Sequence, residues 1–124
     1  MKYPKDMDKE IIPLCNALNT FRGVRTLCSC QGHKRKVSGN PTPYISMVVT
    51  DMLSMRVIVM VFDKYRPNFN SRWWCEVESE ASDGYIRLIV KGKKAGAEVA
   101  KLTEFRNLRK ILIAEGKIHC CLVK

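Results

Sequence analysis

The sequence predicts an α+β fold: a mostly antiparallel sheet with helices packed on it, in the order α-β-β-α-β-β-α. Three observations predict it. Apolar residues recur at helical spacing near both ends of the chain, from Ile11 to Phe21 and from Val99 to Leu112. Between them lie runs that are β-branched or that alternate, at residues 44–50, 72–80 and 85–91. The strands fall in pairs separated by helices, which suits a layered α+β arrangement. At 124 residues, with no internal repeat and no linker, residues 1–124 are expected to form one ligand-binding domain.

Each element has its own warrant. Ile11, Leu14, Cys15, Leu18 and Phe21 share one helical face over residues 8–21. Asp6 or Asp8 is the expected cap, Gly23 the expected stop, and Pro13 an interruption tolerated only near the start. Residues 24–29 are short and half apolar, as a strand, and lead through a basic, turn-rich loop (34–43) to the clearest strand, 44–50. Residues 52–65 fit a buried strand by composition. Helical spacing of Leu53, Val57, Met60, Val61 and Tyr65, Asp51 as a cap and Pro67 as a stop favour a helix. In 72–80, Trp73, Cys75 and Val77 alternate with Trp74, Glu76 and Glu78. The Ser82-Asp83-Gly84 turn then joins this strand to 85–91 as an antiparallel pair. The last helix carries Val99, Leu102, Phe105, Leu108, Ile111 and Leu112, and residues 118–123 read as an edge strand or a subunit contact.

The formal charge is +10, with nine basic against four acidic residues in 1–62 and thirteen against eight in 63–124, so that each half carries +5. Such a balance favours polyanionic or phosphorylated partners, and it also serves plain solubility. The longest strongly apolar run, residues 57–62, falls far short of the roughly 20 residues a bilayer crossing needs. The polar first residues resemble no export signal. The expectation is therefore a cytoplasmic protein without membrane contact, whose six cysteines are free thiols.

Polar chemistry concentrates where the second element ends. Ser29-Cys30-Gln31-Gly32-His33 sets small residues beside a glycine, where backbone N–H groups come close to a ligand, and Lys34, Arg35 and Lys36 favour an anionic one. Arg25 offers a planar fork to a phosphate, or is a strand-edge charge in water. Arg106, Arg109 and Lys110 fall at helical spacing off the apolar face, either as a solvated surface or as a phosphate clamp. Trp73 and Trp74 cannot both point inward from one strand. The outward ring is a candidate for stacking on a base, or for covering the core edge.

Cys28, Cys30 and His33, with Cys120 and Cys121, are the residue types of a zinc site, but the spacing is Cys-x-Cys rather than Cys-x-x-Cys, and no metal is expected. A thiol–imidazole pair lacks a third group to orient it, so no catalytic residue is assigned. Walker-type, dinucleotide-binding and His-Glu-x-x-His motifs are missing from the sequence, and no cofactor is expected.

Leu18-Asn19-Thr20-Phe21-Arg22-Gly23-Val24-Arg25-Thr26, followed by Cys30-Gln31-Gly32-His33, resembles a family of small phage and prophage proteins. These share a helix ending in Leu-Asn, then Gly-(Ile/Val)-x-Thr, a Ser/Cys-Cys-x-Gly-His turn, and a strand, a helix, a Trp-bearing strand, a strand and a helix. Within that group the chain is most similar to the Thoeris anti-defence sponges of the first type. The resemblance implies no enzyme activity. It implies sequestration, in the host cell cytoplasm, of the cyclic ADP-ribose-type nucleotide signal made by TIR-domain proteins, with cyclic oligonucleotides as further ligands. It also implies a homo-oligomer built from dimers, with pockets at subunit boundaries. The positions carried over are Arg25, the turn Ser29, Cys30, Gln31, Gly32 and His33, the aromatic Trp74, and Arg106 or Arg109. The Ser-Cys-x-Gly portion is also similar, more distantly, to wybutosine-synthesising transfer-RNA methyltransferases. An RNA-binding or tRNA-modifying protein is thus the alternative, although no cofactor-binding segment accompanies it.

Overall fold

A computed structural model describes residues 11–30, 43–64, 73–79, 86–92 and 98–123. Helix α1 (Ile12–Asn19) is followed by β1 (Val24–Cys30), β2 (Tyr44–Val49), α2 (Met52–Lys64), β3 (Trp73–Ser79), β4 (Ile86–Gly92) and α3 (Glu98–Ile118). The fold is the α+β arrangement expected, and residues 52–64 are helical. The sheet order is β1-β2-β4-β3, with every neighbouring pair antiparallel. β2 and β3 therefore run parallel on either side of β4, and α2 makes the crossover that joins them.

Helix α1 begins later than its periodicity suggests. Ile11 occupies the cap position without a side-chain hydrogen bond, and Pro13 sits in the first turn, where its missing N–H costs nothing. Asp6 and Asp8 lie outside the described residues. The chain leaves α1 through Gly23, whose φ of +73° falls in the left-handed region. A Cβ there would stand 2.7 Å from Thr50 Oγ1 and 2.9 Å from the Asp51 nitrogen. Only glycine allows this approach, and the Thr50 N–H donates to the Gly23 carbonyl across it at 2.8 Å.

Asp51 caps α2 as anticipated. Its Oδ2 accepts from the Ser54 N–H at 2.9 Å, satisfying one of the orphan donors of the first turn. At the far end of α3, Cys120 adopts φ of 56°. Its N–H donates to the Lys117 carbonyl at 3.2 Å, and that of Cys121 to the Gly116 carbonyl at 2.8 Å, the paired closure of a Schellman motif. The tail then returns to the start of the chain. Leu122 pairs with Phe21, and the Val123 N–H donates to the Thr20 carbonyl at 2.8 Å. The tail thus covers the exit from α1 and adds no strand to the sheet.

One apolar cluster joins Leu14, Cys15 and Leu18 of α1, Val57, Ile58, Val61 and Phe62 of α2 and Phe105, Leu108 and Leu112 of α3 to Ile45, Met47, Val49, Leu88, Val90 and Trp73 of the sheet. All three helices therefore pack on the same side of the sheet. Trp73 is fully buried, edge-on to Phe62 at 5.3 Å and to Phe105 at 6.2 Å between ring centres. Truncating such a ring to alanine typically costs about 3–5 kcal/mol. The turns expected at 67–71 and 82–84 and the loop at 34–42 lie outside the described residues.

Candidate functional site

Strand alternation decides what the opposite side of the sheet presents. Among the described residues no helix lies on it. Taken across β1, β2, β4 and β3, this face has three rows. The first is Arg25, Val48, Arg87 and Glu78. The second is the Cys28 position, Ser46, Ile89 and Glu76. The third is the Cys30 position, Tyr44, Lys91 and Trp74. The Lys91 ammonium stands 5.4 Å from the centre of the Trp74 ring and 3.1 Å from Glu76 Oε1, so an ion pair and a cation–π contact share one cation.

A pocket of about 350 Å³ opens where β1 begins. Phe21, Val24, Val48 and Val123 give it apolar walls, and Asn19, Gly23, Arg25 and Thr50 line its polar part. Several of these groups are fixed by local bonds. Asn19 Nδ2 donates to Thr26 Oγ1 at 2.9 Å while its Oδ1 accepts from the Thr26 N–H, also at 2.9 Å. Thr50 Oγ1 donates to the Gly23 carbonyl at 3.2 Å. Arg25 is the charged member of the lining and is exposed. The volume lies within the range of small-ligand sites, roughly 300–1,000 Å³.

The residues singled out from the sequence do not converge within one chain. Arg25 and Trp74 share the helix-free face but sit at diagonal corners of the grid. Three strand spacings and four residues of strand separate them, about 20 Å. Cys30 lies five residues beyond Arg25 along β1, about 17 Å away. Gln31, Gly32 and His33 lie outside the described residues. Ser29 is turned to the other side of the sheet, beside Cys15. The cause is a bulge at Leu27, where the register passes from Thr26 opposite Met47 directly to Cys28 opposite Ser46. One extra residue reverses the alternation, so Arg25 and Ser29, which a regular strand would place together, face opposite ways. Arg106 and Arg109 are exposed on α3, whose buried Phe105, Leu108 and Leu112 face the core. They belong to the helix layer and not to the face that carries Arg25 and Trp74.

The cysteines are dispersed as well. The Arg22 N–H donates to the Cys121 carbonyl at 2.7 Å, fixing the tail ahead of β1, whereas Cys30 ends that strand about 20 Å further on. Among the described residues, no group of three His, Cys, Asp or Glu side chains is placed to hold a metal ion. Burial pushes the Cys15 thiol up to about 11, which suits a core side chain rather than a nucleophile.

Sequence reasoning passed over Tyr44, Arg87 and Lys91. The signal was present, because Tyr44-Ser46-Val48 and Arg87-Ile89-Lys91 are the outward sets of two period-2 strands. What was lacking was the knowledge that β2 and β4 are neighbours. The role of Val123 in the pocket had no sequence signal, since it depends on the tail's return to Thr20.

Among the described residues, no helix is long and apolar enough to cross a membrane. Compared with known proteins, the chain matches no family, no curated relative and no solved structure.

Proposed function

We propose that this chain is a non-catalytic binding protein that captures a phosphate-bearing nucleotide at the Arg25 pocket. The ligand proposed is the cyclic ADP-ribose-type signal of TIR-domain enzymes, with cyclic oligonucleotides as further ligands. Held intact, such a signal no longer reaches its effector, which is the action of a phage-encoded anti-defence sponge in the host cell cytoplasm. A homo-oligomer built from dimers, closing the pocket from a second copy, belongs to the same proposal.

The observation that carries this reading is an exposed arginine, Arg25, in the lining of a pocket of about 350 Å³ with apolar walls. A guanidinium forks onto phosphate oxygens, and apolar walls accept a base or sugar face. The other polar side chains of the lining are an amide and a hydroxyl engaged in structural bonds, which hold the pocket wall in shape and leave Arg25 as the group that meets the anion.

Calorimetry of the purified protein with cyclic ADP-ribose isomers and cyclic oligonucleotides tests the proposal. The expected result is saturable uptake, and recovery of the ligand at unchanged mass after heating. Arg25→Glu is expected to weaken uptake by about tenfold to a hundredfold, the worth of charge-assisted hydrogen bonds. Its circular dichroism should match the parent's, because Arg25 is exposed. Absence of heat with every one of these ligands rejects the proposal, and so does recovery of a cleaved product.

A further inference from the structure

Arg106 and Arg109 take no part in the pocket, and they belong to a larger set. With 3.6 residues per turn, Arg106, Arg109, Lys110 and Lys117 fall within about 100° of the circumference of α3, along roughly 16 Å of its length. All four are exposed, turned away from the buried Phe105, Leu108 and Leu112. The other exposed residues between 103 and 118 are Thr103, Asn107, Ala114 and Ile118, none of them charged or aromatic. The two acids of this stretch lie elsewhere: Glu104 is buried, and Glu115 stands 3.5 Å from His119 Nε2. Among the described residues none of the four cations meets a carboxylate, whereas Arg22 and Lys91 are paired with Asp51 and Glu76.

Solubility alone does not ask for this pattern. Arg106 lies three residues from Arg109 and four from Lys110, the two spacings at which side chains on a helix meet, so like charges repel there. Charges of mixed sign would keep the surface soluble and add stabilising pairs instead. The macrodipole favours cations only in the last turn, which helps Lys117 and not the other three. A polyanion laid along the row turns the repulsion into attraction. We infer that the outer face of α3 binds double-stranded nucleic acid through its phosphates, a role separate from that of the pocket. A duplex carries one negative charge per about 1.7 Å of its axis, so the whole row meets a continuous line of charge. Single strands are held by stacking their bases on rings, and the exposed residues of this face include no ring. A membrane-surface helix sets large apolar side chains beside its cations, and here Ile118, at the far end, is the one large apolar residue that is exposed. Contacts to phosphate carry no base information, so binding is indifferent to sequence. The net charge of +10 draws such a partner in.

Anisotropy of a dye-labelled DNA duplex of about 20 base pairs, titrated with the protein at several salt concentrations, tests the inference. If all four cations neutralise phosphates, the logarithm of the binding constant falls with the logarithm of salt with a slope of about −3.6 or steeper. Arg106→Gln with Lys110→Gln is expected to make the slope shallower by about 2, and circular dichroism should match the parent's because both residues are exposed. Lys91→Gln removes a cation from the helix-free face and is expected to leave the slope unchanged. A single strand of the same length is expected to bind more weakly than the duplex, and a duplex of scrambled sequence equally well. A parent slope shallower than about −2 overturns the inference. So does a double variant that keeps the parent's slope, or a Lys91→Gln protein that loses as much. Tighter binding to the single strand overturns it too, as does sedimentation with phosphatidylserine vesicles at a salt concentration that releases the duplex, which would make the face a membrane contact. Uptake of a cyclic nucleotide is read in a different assay and on a different residue, so either result stands without the other.

Discussion

Arg22 Nε donates to Asp51 Oδ1 at 3.3 Å, and the same guanidinium donates through Nη1 to the Cys120 carbonyl at 3.2 Å. One side chain thus links the exit of α1, the cap of α2 and the end of α3. Phe21 and Gly23, on either side of Arg22, line the pocket. The pocket rim is therefore held by contacts between segments nearly a hundred residues apart in sequence.

This arrangement makes stability depend on acid. The Ser54 backbone N–H, joined by the Arg22 guanidinium and outweighing the opposing effect of burial, holds the Asp51 carboxyl below its ordinary value of 3.8. Because the folded state favours the charged form, the stabilisation is complete above that ordinary value and is lost as pH falls through the lower, folded one. Urea midpoints measured downward from about pH 5 are expected to fall more steeply for the parent than for Asp51→Asn, which caps without titrating. Parallel curves would remove Asp51 from the account.

Gly23→Ala introduces a Cβ 2.7 Å from Thr50 Oγ1 at a residue whose φ is +73°. The expected loss is more than about 1 kcal/mol, or a thermal midpoint lower by about 4 °C or more. Ligand uptake at the pocket should fall with it, because Gly23 and Thr50 are both part of the lining. A midpoint unchanged on scanning calorimetry would contradict the left-handed geometry.

Cys120 poses the reverse case, a side chain in the left-handed region at the end of a helix. Cys120→Gly is expected to raise stability by about 1 kcal/mol, since glycine carries no Cβ to strain there. Guanidinium unfolding with an unchanged slope and a higher midpoint would show it. A lower midpoint would mean that the Cys120 side chain does more than close the helix.

The thiols should separate by burial. Cys120 is exposed, whereas Cys15 is fully buried and its thiol is pushed up to about 11. At pH 8 an alkylating reagent is expected to label Cys120 in the native protein and Cys15 only as fast as the chain unfolds, with the sites located by peptide mass spectrometry. Rapid native labelling of Cys15 would place it outside the core.

Much of the architecture was written in residue spacing. The period of Leu14, Cys15 and Leu18 demanded a helix with one buried face, and the alternation through Trp73 and Trp74 demanded one ring on each side of a strand. Gly23 and Asp51 announced the boundaries they form, because a left-handed φ and an orphan helix donor each call for a particular residue type. Pro13 moved the start of α1, since a ring without an N–H fits only the first turn.

The site was less legible, and the reason lies in long-range geometry. Whether Arg25 and Ser29 share a face depends on one extra residue at Leu27, and a bulge is a property of the pairing between two strands. Whether Arg25 meets Trp74 depends on the order β1-β2-β4-β3, which puts two strands between theirs. Whether Arg106 and Arg109 join them depends on which side of the sheet α3 takes. Local chemistry along the chain therefore determined which segments are helix or strand and which side chains must be buried. Only the folded sheet decided which outward residues became neighbours, because strand order, register and helix placement arise from contacts between residues far apart in sequence.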